Sequence, residues 1–331
     1  MSGADLTVFV FQQALLRTIP LLIVALGGVF SERSGIINLA LDGERIFGAF
    51  AGAVFVKLRV EKAGWAGTSQ ALFLLGRLIS AVSGAIRSLL LSFAAIKRKA
   101  DQTIVGTSLN RLAPAIVSAF GLVFFSQEKI VSGGSFSIRR SRYPEAFQSR
   151  RKNSRFLSFF FDKIYISTYI VILLFILLSI WLYKTKTGTH LRACGENPQA
   201  ADSVGINVYK RRYLGSTISG ALAGLGGFVY IATVSATTAD STVNGLGFLA
   251  LAIRIFGNWN PALIALGAFF FGFLKSLGVL APRIPFRAQW KLPMYFYNIV
   301  PYVIVILVLI LFHGKSGCPK AEGIPYDKGQ R

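Results

Sequence analysis

The uncharged run Tyr165–Tyr183 constrains the fold of this chain more than any other feature. A helix needs about 20 mostly apolar residues to cross a bilayer, because lipid offers no hydrogen-bond partner to an open backbone. Leu6–Phe30, interrupted only by Arg17, and Val300–Phe312 are similar runs. Only 15% of the residues are charged, whereas soluble domains average about 25%. The sequence therefore predicts an all-α fold, a polytopic transmembrane helix bundle.

Hydropathy divides the chain into nine apolar segments. They are 7–30, 36–57, 71–96, 104–125, 164–183, 213–234, 244–257, 261–281 and 293–312. Because boundaries read from a sequence shift by a few residues, we predict about 8–10 spans, some of them broken or short.

Two of these segments contain charges. The second carries Asp42, Glu44 and Arg45 in its first half, and the seventh is short and contains Arg254. A single charge at mid-bilayer costs about 2.5–3.5 kcal/mol on insertion scales, so these residues are not expected to face lipid. Broken helices that line a transport path would explain them. A second interpretation is that Asp42 and Arg45 pair at one helix end near the interface.

The formal net charge of +22 would suggest a nucleic-acid partner in a soluble protein. Here the basic residues lie mainly between apolar segments, where lipid headgroups and translocation bias account for them. We predict a lipid membrane and no nucleic acid as partner. The basic segment 126–163 is predicted to be an extracytoplasmic loop, because spans alternate in direction and the loop 184–212 is predicted to be cytoplasmic. Residues 1–331 then form one transmembrane domain, with 313–331 as a solvated tail.

The loop 184–212 contains a short helix with both ends marked. Asn197 is a good N-cap, and Pro198 suits the first helical position, where its missing N–H would be unpaired in any case. Gly205 supplies a left-handed stop. A two-turn helix is not stable alone in water, so it must pack on something. We interpret it as a docking element, although an ordinary structured loop would carry the same signals.

Three stretches carry a resemblance to a known family. The loop sequence GTHLRACGENPQAADSVGINVYKRRY resembles the cytoplasmic coupling segment of ABC importer permeases for nucleosides, ribose, galactose and related sugars. Glu32–Leu39 with Asp42 is similar to the family's first signature, and Gly245–Ala252 with Phe256–Pro261 is similar to its late signature. The matches follow the family order over about residues 30–280. The first signature usually has Glu where Asp42 stands, and apolar residues are expected at Arg45 and Arg254.

The resemblance implies a transport subunit, not an enzyme, in the cytoplasmic (inner) membrane of a bacterium. It implies three partners: an ATP-binding subunit that uses ATP and Mg, a second permease chain that is identical or paralogous, and an extracytoplasmic substrate-binding protein. No cofactor is expected on this chain, because Gly314-Lys315-Ser316 lacks the leading glycine and the strand of a phosphate-binding loop. The residues expected to couple to the ATPase are Gly195, Glu196, Asn197, Pro198, Ala200, Ala201 and Gly205.

Substrate contacts are predicted from the chemistry of the solutes that the resemblance implies. Nucleosides and simple sugars are uncharged and rich in hydroxyls, so a path for them needs amides, hydroxyls and an aromatic face. Asn38, Asp42, Asn110 and Trp259 are the candidates. The alternatives are a branched-chain amino acid ABC permease and an ion-coupled secondary transporter, in which Asp42 would serve the coupling ion. Two cysteines and two histidines form no catalytic or metal-binding pattern, so neither kind of site is predicted.

Overall fold

The computed structural model describes residues 3–63, 70–132, 166–235, 238–239, 245–280, 299–300, 302–304, 306–307, 310 and 317–329. Its helices are α1 (Gly3–Arg33), α2 (Leu41–Ala63), α3 (Gln70–Lys97), α4 (Gln102–Phe125), α5 (Ile166–Lys184), α6 (Lys186–Glu196), α7 (Pro198–Ser203), α8 (Val208–Thr233), α9 (Leu246–Phe256) and α10 (Pro261–Leu280). Helical residues also occur between 299 and 310. The strands β1 (Ile130–Val131) and β2 (Thr238–Ala239) form one antiparallel pair.

Five of these helices are long and apolar enough to cross a membrane: α1, α3, α4, α5 and α8. The helices α9 and α10 contain shorter apolar stretches. Large apolar side chains such as Leu78, Ile86 and Leu90 are exposed along α3, and Leu173 and Leu177 are exposed along α5. A water-soluble protein would not leave such faces uncovered, whereas lipid covers them at no cost. The predicted helical membrane bundle is confirmed, with a two-residue strand pair as its one departure from all-α among the described residues.

The helix α8 lies at the centre of the bundle and packs against α1, α2 and α3. Glycines allow this close approach. A Cβ added to Gly224 would overlap the backbone of Ser80 in α3, and one added to Gly48 of α2 would overlap Gly224 itself. Without side chains at these points the helix backbones come into direct contact, as in small-residue interfaces of membrane helices.

The described chain has two distinct ends, and the strand pair marks one of them. The start of α4 lies at the other end, since the Gln102 side chain accepts a hydrogen bond from the Ile37 N–H (2.7 Å) in the connection after α1. The 24 residues of α4 then extend about 36 Å to β1. Residues 126–132 therefore lie at the end opposite to α6 and α7, while the extracytoplasmic location of this loop stays a prediction. The remainder of the predicted 126–163 loop lies outside the described residues.

Candidate functional site

The coupling segment, α6 and α7 with the residues up to Gly205, has the local structure that its sequence predicts. The Asn197 side chain accepts a hydrogen bond from the Ala200 N–H (3.0 Å), and Pro198 opens α7. Gly205 adopts a left-handed φ of +83° just beyond the helix. The helix α6 was not predicted. Its signal was Thr185, whose hydroxyl accepts a hydrogen bond from the Gly188 N–H (3.2 Å) as an N-cap.

The coupling segment is fixed to the end of α1. A Cβ on Gly195 would collide with the Arg33 carbonyl, so the two backbones are in contact. Glu196 Oε1 lies 3.3 Å from Arg33 Nη1 at the surface. Ala201 is buried in a small apolar cluster, while Val204 on the outer side is 74% exposed. The segment therefore has one face attached to the bundle and one face free to contact another protein.

The C-terminal strap, residues 317–329, lies against this segment, which contradicts the expected solvated tail. The Ala321 N–H donates to the Gly195 carbonyl (2.9 Å), and the Gly323 N–H donates to the Gly35 carbonyl (3.2 Å). Arg212, at the start of α8, donates to the Ile324 carbonyl (2.9 Å). These backbone bonds join the strap to the connection after α1, to the coupling segment and to α8.

Side chains complete the attachment of the strap. The buried Tyr326 ring lies 5.3 Å from the Tyr209 ring, centroid to centroid, in the apolar cluster that also holds Ala201. Asp327 Oδ2 lies 2.5 Å from Lys99 Nζ in the connection between α3 and α4. The strap thus bridges three interhelical connections at the coupling end.

Burial changes the ionisation of two groups in the strap. It raises the pKa of the Glu322 carboxyl to about 7, and the nearby Glu32 carboxylate adds to the shift. It also raises the pKa of the Cys318 thiol to about 12, assisted by its hydrogen bond to Glu322. In the coupling segment, burial raises the pKa of Cys194 to about 11. Both thiols therefore remain neutral at physiological pH, while Glu322 titrates within the physiological range.

A second set of charged residues holds the short helix α9 inside the bundle. At its beginning, Asp42 Oδ1 accepts hydrogen bonds from the Gly247 N–H (2.8 Å) and from Arg45 Nε (3.1 Å). Both charged side chains are almost completely buried, at 1% and 3% exposed. The carboxylate lies where the first N–H groups of α9 need a partner and where the helix dipole favours negative charge. The absence of a side chain at Gly247 allows this close contact, since a Cβ there would meet the Asp42 backbone at 2.7 Å.

The other end of α9 is held by an equivalent pair. Arg254 Nη1 lies 2.9 Å from Glu32 Oε1, and both side chains are buried. The second oxygen of Glu32 accepts a hydrogen bond from Trp259 Nε1 (2.6 Å). Gly28 of α1 makes space for the Arg254 guanidinium. We call Glu32, Arg254, Asp42 and Arg45 the α9 clasp, because its two carboxylates hold both ends of α9.

The clasp explains the two charged positions that depart from the family pattern. Arg45 pairs with Asp42 as one interpretation predicts, although the pair is buried against α9. Arg254 neutralises the buried Glu32. The first and late signatures, far apart in sequence, therefore meet at both ends of α9.

The other predicted path residues bind groups within the protein. Asn38 Nδ2 donates to Glu44 Oε2 (3.0 Å) and to Ser219 Oγ (2.9 Å). Asn110 accepts a hydrogen bond from the Gly43 N–H (2.7 Å). Trp259 Nε1 donates to Glu32. Of the four predicted path residues, Asp42 has a buried side-chain oxygen, Oδ2, without a hydrogen-bond partner. Contact of these four residues with a solute stays a prediction.

Lys275 was missed by the sequence analysis, although it lies in an apolar segment as Arg254 does. Its ammonium nitrogen lies 5.5 Å from the centroid of the Tyr302 ring, within the range of a cation–π interaction. A charge inside a predicted span is the signal that could have found it.

Comparison with known proteins identifies the family. Residues 10–309 match the family described as the branched-chain amino acid transport system / permease component. The chain is 38% identical to the guanosine ABC transporter permease protein NupQ of Bacillus subtilis (strain 168) over 317 residues, 94% of each chain. It is 38% identical to the nucleoside ABC transporter permease protein NupC of Lactococcus lactis subsp. cremoris (strain MG1363) over 323 residues, 96% of each chain.

A third relative matches over a shorter length. The probable branched-chain amino acid transport permease protein LivH of Methanocaldococcus jannaschii is 38% identical over 116 residues, 34% of this chain and 36% of that protein. No solved structure matches the chain.

The membrane bundle and these relatives define a class, the membrane-spanning permease subunits of ABC transporters. The chain belongs to the family of branched-chain amino acid transport system permease components. The resemblance of its three sequence stretches is confirmed, and so is its multi-pass location in the cytoplasmic (inner) membrane.

Proposed function

We propose that the chain is the permease subunit of an ATP-driven importer of nucleosides. The observation that carries this proposal is the likeness to two nucleoside permeases along nearly the full length of the chain. The likeness to a branched-chain amino acid permease covers about a third of the chain, which favours nucleosides over amino acids. Simple sugars are the second solute class to test.

In this proposal the chain itself forms the path for the solute and transmits the movement of the ATP-binding subunit to the membrane helices. A separate ATP-binding subunit would bind ATP and Mg and dock on the exposed side of the coupling segment, around Ala200 and Val204. The other side of this segment is attached to α1, to α8 and to the strap, so a displacement of the docking face is passed to the spans. A second permease chain and an extracytoplasmic binding protein complete the proposed assembly. Neither ATP hydrolysis nor a bound cofactor is assigned to this chain.

Uptake of radiolabelled nucleosides by proteoliposomes containing the permease and its partner subunits tests the proposal. We expect saturable uptake that requires ATP on the side of the membrane where the ATP-binding subunit lies. Uptake should stop when that subunit carries an inactivating substitution. An ion-coupled carrier would instead lose uptake when ion gradients are dissipated, while ATP made no difference. Uptake of a sugar or an amino acid in place of nucleosides would contradict the proposed substrate class.

A further inference from the structure

A cluster of charged and aromatic side chains lies near the beginning of α9. Its members Asp42 and Arg45 are buried, whereas Tyr302 is 38% exposed. Arg45 of α2 places its guanidinium 5.6 Å from the centroid of the Tyr230 ring in α8. Lys275 of α10 interacts electrostatically with Arg45, Arg17 and Asp42. The Tyr302 hydroxyl lies against Gly245, just before α9. We call this set the inner cationic cluster: Arg17, Asp42, Arg45, Tyr230, Lys275 and Tyr302.

The cluster contains more positive than negative charge. Among the described groups that interact there, three are basic, Arg17, Arg45 and Lys275, and one is a carboxylate, Asp42. The positive end of the α9 dipole adds to the excess. Ionisable residues within a membrane bundle are rare, and they usually mark the path of a solute or an ion. An excess of donors and positive charge favours a ligand that presents electron-rich acceptor atoms.

The Asp42–Arg45 pair has hydrogen-bonding capacity left on both partners. Asp42 Oδ1 and Arg45 Nε bond to each other, whereas Asp42 Oδ2 and Arg45 Nη2 are buried and have no hydrogen-bond partner. One ion pair therefore carries an unpaired acceptor and an unpaired donor, both sealed from solvent. Leaving such groups unpaired is unfavourable in a medium of low dielectric constant, so a ligand that satisfies both would be bound.

We propose that this pair binds the edge of a nucleobase that carries a carbonyl next to a ring N–H. This inference rests on the proposed function, since it selects among nucleosides. The ring N–H would donate to Asp42 Oδ2, and the carbonyl oxygen would accept from Arg45 Nη2. Guanine, hypoxanthine and uracil present this edge. Adenine presents an amino group next to a ring nitrogen acceptor, which would place donor against donor and acceptor against acceptor.

The tyrosine rings suit the rest of such a ligand. Tyr230 and Tyr302 each have a cation near the ring face. Any planar base can stack on an aromatic ring, whichever donors and acceptors the base carries. Stacking would then bind all bases, while the Asp42–Arg45 pair would distinguish among them.

Inosine and adenosine make a matched pair of probes, because their bases differ only in this edge. We would measure the affinity of the purified permease complex, without its binding protein, for each nucleoside. The complex should bind inosine about tenfold more tightly than adenosine. Arg45→Gln and Asp42→Asn should each reduce this ratio to about one. Arg254→Gln alters the other ion pair of the clasp. It should lower the stability of the protein and leave the ratio of the two affinities unchanged.

Equal affinities in the wild-type complex, or a ratio that both cluster variants retain, would overturn the assignment. So would the absence of nucleoside binding. The wild-type comparison needs no substitution, so a variant that fails to insert does not weaken the test. Nucleoside uptake measured in parallel distinguishes failure of the Asp42–Arg45 assignment from failure of the proposed function. Continued uptake with equal affinity for inosine and adenosine would overturn only the assignment. Absence of nucleoside uptake would overturn the proposed function as well.

Discussion

Arg254 of α9 and Glu32 at the end of α1 form a buried ion pair, with 2.9 Å between Nη1 and Oε1. Removal of one partner would leave an uncompensated charge away from water, which costs about 3–5 kcal/mol in comparable pairs. We expect Arg254→Met to lower the thermal unfolding temperature in detergent markedly. The double variant with Glu32→Gln should recover much of the loss, because no unpaired charge then remains.

The surface pair between Arg33 and Glu196 is the matched control for this prediction. Its members are 3.3 Å apart, but Glu196 is well exposed. Exposed pairs contribute about 0–1 kcal/mol. Arg33→Gln should therefore change the unfolding temperature little, and an equal loss from both substitutions would contradict the role of burial.

Gly247 should not tolerate a side chain. A Cβ at this position would meet the Asp42 backbone at 2.7 Å, so Gly247→Ala must displace α9 from the carboxylate that holds it. We expect loss of uptake and a less stable protein. Gly267→Ala is the control within α10, because its Cβ would make an ordinary 3.5 Å contact with Ile253. Equal uptake by the two variants would show that α9 can shift freely.

Charge reversal on the docking face should separate transport from insertion. We expect Glu196→Lys combined with Ala200→Arg to abolish uptake and to prevent co-purification of the ATP-binding subunit, while the protein still inserts in the membrane. Glu61→Lys changes an exposed side chain at the opposite end of the bundle and should leave both properties intact. If the double variant keeps its ATPase partner and its transport, the coupling role of this segment is wrong.

Attachment of the strap should depend on Tyr326. Its ring is buried against Tyr209, and truncation of a buried aromatic side chain costs about 3–5 kcal/mol. Tyr326→Ala should expose residues 317–329 to added protease and lower uptake. Lys328→Ala removes only a long 3.9 Å contact from an exposed ammonium to the partly buried Asp202, and it should do neither. Unchanged protease resistance of the Tyr326 variant would mean that the backbone bonds hold the strap alone.

The strap should also loosen as pH rises. Glu322 has an ordinary pKa of 4.5 when exposed and a pKa of about 7 when the strap is attached. The attached form therefore holds the proton more tightly, so its stability is greatest below about pH 4.5 and falls as pH rises from there to about 7. Protease cleavage of the strap should be faster at pH 8 than at pH 5.5. Glu322→Gln should remove this difference, and a pH effect that persists in that variant would assign it to another group.

The sequence predicts local features of this fold well and distant contacts poorly. Asn197, Pro198 and Gly205 mark a helix through bonds among near neighbours, so their roles follow from residue type alone. The partners of Arg254 and Asp42 lie on other helices, and a single sequence contains no signal that pairs them. The family resemblance selected the two stretches that meet in the clasp, but their contact required the three-dimensional structure.

The strap was mispredicted for a related reason. Its backbone bonds to Gly35 and Gly195 depend on where those carbonyls lie and not on the side chains of the strap. A polar, glycine-containing stretch after the last apolar segment is indistinguishable from a flexible tail by composition. Its buried residues, Ala321 and Tyr326, are too few to form a periodic pattern.

The strap has a consequence for the biogenesis of the permease. Residues 317–329 follow every described membrane helix in chain order, yet they complete the surface beside the coupling segment. During synthesis this surface therefore stays unfinished until all those helices have been made. We expect chains truncated before residue 317 to recruit the ATP-binding subunit poorly. Binding of that subunit would then select permease chains whose synthesis has reached the strap.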